Sequence, residues 1–289
     1  MMQFKDINND YNSYNYLVYF YHQNQSKAYE TIDISFRNVN WIAANTCSMI
    51  GAIFQKLQDS FNTIRITDMD DKLTNILSRN GFLAFLGYER IFDYRQTTIQ
   101  YLKLYPRDSR YFSEYIREDL LGKEAMPVMS ERLRKKITEG IYEIFINAAM
   151  HSDTKEGIFT CGQFFPRKNT IEFMITDLGI GIRNRVSQYL NTPISAVDAI
   201  EWAMKERNTT KPNASGGLGL AILKSFIALN KGKIQIISND GFWEFSEEGI
   251  EKRFFNDEFP GTAVNICINT NDQAHYKLWD EIIHDEDIF

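Results

Sequence analysis

Cysteine is scarce in this chain. Cys47, Cys161 and Cys267 are odd in number and far apart, which excludes a disulfide framework and a Cys-x-x-Cys metal knuckle and leaves three reduced, mostly buried thiols. Long apolar runs are missing too: none approaches the roughly 20 residues that cross a bilayer, so no membrane partner is expected. The opening stretch, Met1-Met-Gln-Phe-Lys-Asp-Ile-Asn-Asn-Asp10, lacks the apolar core of a secretory signal, and a cytoplasmic protein is expected. Basic clusters are absent, and 32 Lys and Arg against 38 Asp and Glu give a net charge of −6. Such a surface has no electrostatic footprint for a phosphate backbone, so nucleic acid is not expected as a direct partner. No Gly-Lys-Ser/Thr follows any glycine-rich stretch, which excludes a Walker loop.

What is present is a well-cored composition, 44% hydrophobic and 24% charged over 289 residues, a length that suggests two domains. After a polar, Asn-rich start expected to be loose, residues 14–105 alternate β-like and helical runs, the pattern of an α/β domain. Strands are predicted at Tyr16-Leu-Val-Tyr-Phe20, residues 31–36 and residues 63–67, with helices over residues 43–58 and 70–79. Residues 107–128, with Pro106 and Pro127 at the margins, read as a polar connector holding the domain boundary. A second α/β unit is expected over 127–270. It comprises a helix over 130–151, a hairpin of strands at 157–164 and 170–176, helices at 193–205 and 218–229, and strands at 233–238 and 261–269. Residues 271–289 form an acidic tail, either solvated or a docking segment.

Three short segments carry the chemistry. In Glu143-Ile-Phe-Ile-Asn147 the Glu and Asn stand four residues apart on one helix face and can address one ligand. An exposed amphipathic face would carry the same pair. A hard Mg²⁺ ion takes oxygen ligands and keeps several waters, so the Asn147 carbonyl plus phosphate oxygens would suffice, with Glu143 placed as general base. Asp177-Leu-Gly-Ile-Gly181 leaves an apolar strand; a carboxylate there, beside Gly179 and Gly181, suits acceptance of a hydrogen bond from an adenine amine, although an ordinary Asp-x-Gly turn has the same sequence. Gly216-Gly-Leu-Gly-Leu220 opens a helix, where backbone N–H groups converge on an anion. The polar loop before it, with Thr210 and Lys211, reads as a lid over phosphates.

Taken together these segments resemble the ATP-binding domain of the GHKL superfamily of gyrase B subunits, MutL-type proteins, ATP-driven chaperones and histidine kinases. The resemblance covers about residues 127–270. Glu143-x-x-x-Asn147 looks like its N box, Asp177-x-Gly-x-Gly181 its first glycine box and Gly216-Gly-Leu-Gly-Leu220 its second. Gly261-Thr262 looks like the Gly-Thr that closes the adenine pocket. It implies an α/β sandwich that binds ATP and Mg²⁺ through Asn147, Asp177, Gly179, Gly181, Thr210, Lys211, Gly216, Gly217, Leu218, Gly219, Leu220 and Thr262. His151 matches a position that this family fills with a basic or polar residue near the phosphates. Glu143 stands where histidine kinases generally have Asn, and none of His22, His151, His275 and His284 lies in a phosphoacceptor pair, so a self-phosphorylating histidine kinase is not expected.

Residues 30–92 more weakly resemble a STAS domain, the fold of anti-sigma-factor antagonists. Where that family carries its phosphoacceptor serine this chain reads Ala43-Ala-Asn-Thr46, which implies a module for contact with a protein partner or another copy rather than a phosphorylation switch. The expected function is a Mg·ATP-dependent regulatory ATPase. A serine kinase of the anti-sigma type and a non-hydrolysing nucleotide-binding module remain the alternatives, since phosphoryl transfer to water and to serine asks the same of the site.

Overall fold

The computed structural model describes residues 2–151, 156–205, 208 and 218–281. The chain is a mixed α/β protein. Its first unit runs β1 (Met2–Gln3), α1 (Tyr11–Asn24), β2 (Thr31–Ser35), α2 (Cys47–Gln58), β3 (Thr63–Thr67), α3 (Asp71–Arg79) and α4 (Phe82–Phe85). The strands form a parallel sheet in the order β1-β2-β3.

The Asn-rich start is fixed rather than loose, since β1 pairs with β2 and Phe4 and Ile7 are buried. The strand expected at Tyr16-Leu-Val-Tyr-Phe20 is part of α1. Asp10 caps that helix by accepting from the Ser13 N–H at 2.8 Å. Tyr14, Leu17, Val18 and Tyr21 are buried with helical spacing, so tertiary burial overrides the β preference of the aromatic and branched residues.

The strand β4 (Thr98–Leu104), inside the stretch expected as the first domain, pairs antiparallel with β5 (Ile158–Phe165). Residues 107–128, expected as a polar connector, are folded in part. They fold into α5 (Ser109–Tyr115) and a π-helical turn over Ile116–Leu120. These bury Phe112, Tyr115, Ile116 and Leu120 under α6 (Glu131–His151), Phe112 stacking on Phe145 at 4.3 Å.

Then follow β6 (Thr170–Asp177), α7 (Gly181–Leu190), α8 (Ala196–Ala203), α9 (Leu218–Leu229), β7 (Lys233–Ser246) and β8 (Gly249–Asn269). The five strands lie in the order β4-β5-β6-β8-β7, every neighbour antiparallel. The last two strands run on past their expected ends as a long hairpin. A register shift lets Ser238 face Thr262 and Asn239 face Phe259, which takes Pro260 and Gly261 out of the ladder where a proline is tolerated.

Both faces of β5 and β6 are buried along most of their length, which is why these strands read as nearly continuous apolar runs. Ile171, Phe173 and Ile175 of β6 pack into the core shared with α6 and α9, whereas Met174 joins Phe159, Ile237 and Ala263 in a core shared with α1 and α2; this is the period-two alternation of a strand. The first unit is thus a layer on the sheet and not a separate bead. Gly51 of α2 is part of that contact, because a Cβ there would collide with the Tyr101 ring of β4.

A buried polar cluster spans the same interface. Asn45 donates to Asn265 Oδ1 at 2.8 Å and to Asn9 Oδ1 at 2.7 Å, Asn265 donates to Gln235 Oε1 at 2.9 Å, and Asn9 donates to the Glu172 carboxylate. Burial raises the pKa of Glu172, with Lys168 and Lys233 opposing.

The segment after β8 does not all stand off in solvent. Tyr276 is buried, bridges to Met129 and packs edge-on against Phe226 at 5.1 Å; residues 282–289 of the expected acidic tail lie outside the described residues. Cys47, Cys161 and Cys267 are free and buried. Among the described residues no helix is long and apolar enough to cross a membrane.

Candidate functional site

The end of β6, the first turn of α7 and the bulge of β8 meet at Asp177. This residue is 6% exposed. Its carboxylate accepts the Gly179 N–H at 2.9 Å and the Thr262 N–H, yet burial outweighs both hydrogen bonds and raises its pKa to about 7. Gly261 sits against it so closely that any Cβ would collide with the Asp177 carbonyl. Glycine is therefore required there by close approach of two backbones. Gly181 has φ +78°, and a Cβ on it would collide with the Asn239 side chain.

Two side chains of β7 hold this corner in place. Ser238 Oγ accepts the Ile182 N–H at 2.8 Å and lies 2.9 Å from Thr262 Oγ1, while Asn239 Oδ1 accepts the Arg183 N–H at 3.2 Å. The first-turn donors of α7 that often bind an anion are engaged by protein at these two positions.

Above the corner lies a cavity of about 160 Å³. Six of the residues singled out in the sequence line it together: Glu143, Asn147, Asp177, Gly181, Leu220 and Thr262. Its walls are largely apolar, with Ile175 and Ile236 from the sheet, Val186 from α7 and Leu223 from α9. A dry cavity of about 150 Å³ with such walls admits a six-membered aromatic ring, so this one suits a planar heterocycle with one buried polar contact.

Gly179 acts one step back, its N–H fixing the Asp177 carboxylate. Leu218 and Gly219 open α9, and His151 ends α6 one turn beyond Asn147. Thr210, Lys211, Gly216 and Gly217 lie outside the described residues.

Several lining residues escaped sequence reasoning. Arg185 comes from α7 and Trp202 from α8; Trp202 packs near Tyr189 at 5.6 Å and its carbonyl accepts from Asn208 at 2.8 Å. The signal for α7 was present in Ile182 and Val186, but the polar residues between them masked it. Ser238 and Asn239 had no local signal, because their roles depend on the β7–β8 register.

For a metal the donor set is thin. Among the described residues no group of three or more His, Cys, Asp or Glu side chains is placed to hold one. Asn147 and Glu143 offer hard oxygen donors in the cavity, which fits a Mg²⁺ ion that arrives with its phosphate and keeps its waters and does not fit a resident zinc or iron. A scan against protein-family models finds no match, and neither does a search of the curated proteins.

Proposed function

We propose that this chain is a Mg·ATP-binding ATPase of the GHKL type, acting as a nucleotide-dependent switch on a protein partner. The observation that carries this reading is the buried Asp177 carboxylate, held by Gly179 and Thr262 at one end of an apolar cavity that Glu143 and Asn147 share. A buried acceptor beside flat apolar walls suits the adenine edge, which donates from its exocyclic amine; guanine presents a carbonyl there. Asn147 would supply one oxygen to Mg²⁺, whose chemistry is to neutralise charge on the phosphates. Glu143 would take the proton of an attacking water, a contribution of about 10²–10⁴ in rate.

The first unit is proposed as the contact module. Its α1 and α2 pack against the sheet, and the edge strand β3 is a surface it offers to a partner or a second copy. The STAS-like reading is supported by the parallel strands backed by helices.

The test incubates the full chain with ATP labelled in its terminal phosphate. Free phosphate is expected from the wild type, and Glu143→Ala should lose turnover while still binding. Turnover at the wild-type rate in that variant contradicts the role of Glu143, and label found on a partner serine selects the kinase alternative.

A further inference from the structure

The helix α7 forms one wall of the cavity through Ile182 and Val186, yet it starts without a cap of its own. Ile180 at its N-cap offers no side-chain acceptor, and Gly181 adds no stiffness. Its place therefore depends on what holds it from outside. Arg183 does not line the cavity. Its Nη1 donates to Asp240 of β7 and its Nη2 to Glu258 of β8, each at 2.8 Å, so one guanidinium ties both strands of the hairpin to the helix. A planar fork suits such a two-armed contact better than an ammonium does.

The hairpin on the far side of this contact is itself held. Tyr11 of α1 donates to the Phe254 carbonyl at 2.6 Å and stacks on Phe255 at 5.2 Å, and His22 Nε2, near the end of the same helix, lies 2.8 Å from the carbonyl oxygen of Glu258. Glu258 thus meets Arg183 with its carboxylate and the first unit with its backbone. A free hairpin would follow the helix; one fixed in this way can anchor it.

We infer that Arg183 is a positioning residue for the base end of the cavity, clamping the start of α7 to the hairpin so that Ile182 and Val186 stay against a bound base. This rests on the nucleotide reading above and gives it a support outside the cavity. Because α1 holds the same hairpin, the clamp also joins the proposed contact module to the nucleotide site.

The experiment titrates the full-length wild type, Arg183→Gln, Arg183→Lys, Glu258→Gln and the double variant Arg183→Gln with Glu258→Gln, using Mg·ATP and adenosine, after circular dichroism has shown that each is folded. Urea unfolding is run on the same samples. Arg183→Gln should weaken ATP and adenosine alike, by about 2- to 30-fold, because the clamp acts on the base end, and Arg183→Lys should recover part of the loss. Glu258→Gln should lose affinity in the same way although it stands outside the cavity. The double variant should lose less than the product of the two single losses, since both act through one contact. Glu258→Gln carries the test alone if the Arg183 variants do not fold. Lower stability with affinity for both ligands unchanged would make the contact a structural ion pair and overturn the inference, and a loss confined to ATP would place Arg183 on the phosphates and overturn it as well; both leave the nucleotide reading standing. A wild type that binds neither ligand overturns both.

Discussion

The hydroxyls of Ser48 and Thr176 lie 2.9 Å apart, both fully shut off from solvent. One belongs to α2 of the first unit and the other to β6, on the residue immediately before Asp177. Because successive strand side chains point to opposite faces, Thr176 is braced from behind by the first unit while Asp177 faces the cavity. The layer that closes the back of the sheet thus touches the strand that presents the buried carboxylate.

Removing one of these hydroxyls leaves the other buried without its partner. Ser48→Ala should destabilise the protein by about 1–3 kcal/mol, whereas Ser48→Ala combined with Thr176→Val should recover most of that loss. Urea unfolding of the two single variants and the double variant checks the coupling. Additive effects would show that the contact carries no energy of its own.

Asp177 makes stability and binding respond to pH in opposite directions. Its folded pKa is raised from 3.8 to about 7 by burial, so the folded protein holds a proton that the unfolded chain releases. The associated stability is fully present below pH about 4 and is lost as pH rises through about 7, an effect on the order of 2–4 kcal/mol. Asp177→Asn should therefore be more stable than wild type at pH 8 and equal to it near pH 4, as read by thermal unfolding across pH.

The ionised carboxylate accepts the ligand's amine hydrogen bond more strongly than the protonated one does, so affinity for adenine nucleotides should be flat above pH about 8 and fall as pH drops below about 7. Titration calorimetry at several pH values checks this slope. An affinity that rises on acidification would contradict the role given to Asp177.

Gly261→Ala drives a methyl group into the Asp177 carbonyl, a backbone atom that cannot swing aside as a side chain would. It should cost about 1–3 kcal/mol as an overpacked contact and weaken nucleotide binding with it, because the Thr262 N–H is pulled off the carboxylate. Thermal unfolding and a nucleotide titration on the same sample test both halves.

Elements with an undisturbed period were legible in the sequence. The apolar positions of α6 at Leu133, Ile137, Ile141, Ile144 and Phe145 repeat every three or four residues, and the β5–β6 hairpin is marked by its turn. The failures share a cause, which is that the deciding contacts are distant in sequence. Tyr16-Leu-Val-Tyr-Phe20 is helical because Tyr14, Leu17 and Val18 find a core, and residues 107–128 looked like a connector because the polar faces of α5 and the following turn conceal Phe112, Tyr115 and Ile116. Nothing local announces that β4 pairs with β5, some sixty residues later.

The site was read unevenly for the same reason. Glu143, Asn147, Asp177, Gly181, Leu220 and Thr262 stand in short motifs whose spacing carries meaning, and they line one cavity. Arg185, Ser238 and Asn239 acquire their places only when α7 docks on β7.

The most direct measurement is an equilibrium titration of the full chain with ATP and with GTP, with and without Mg²⁺, repeated on Asp177→Asn. Saturable binding of ATP is expected, strengthened by Mg²⁺, with GTP weaker by about 100-fold or more and the Asp177→Asn variant losing that preference. Equal affinity for the two nucleotides, or ATP binding untouched by Asp177→Asn, would contradict the account.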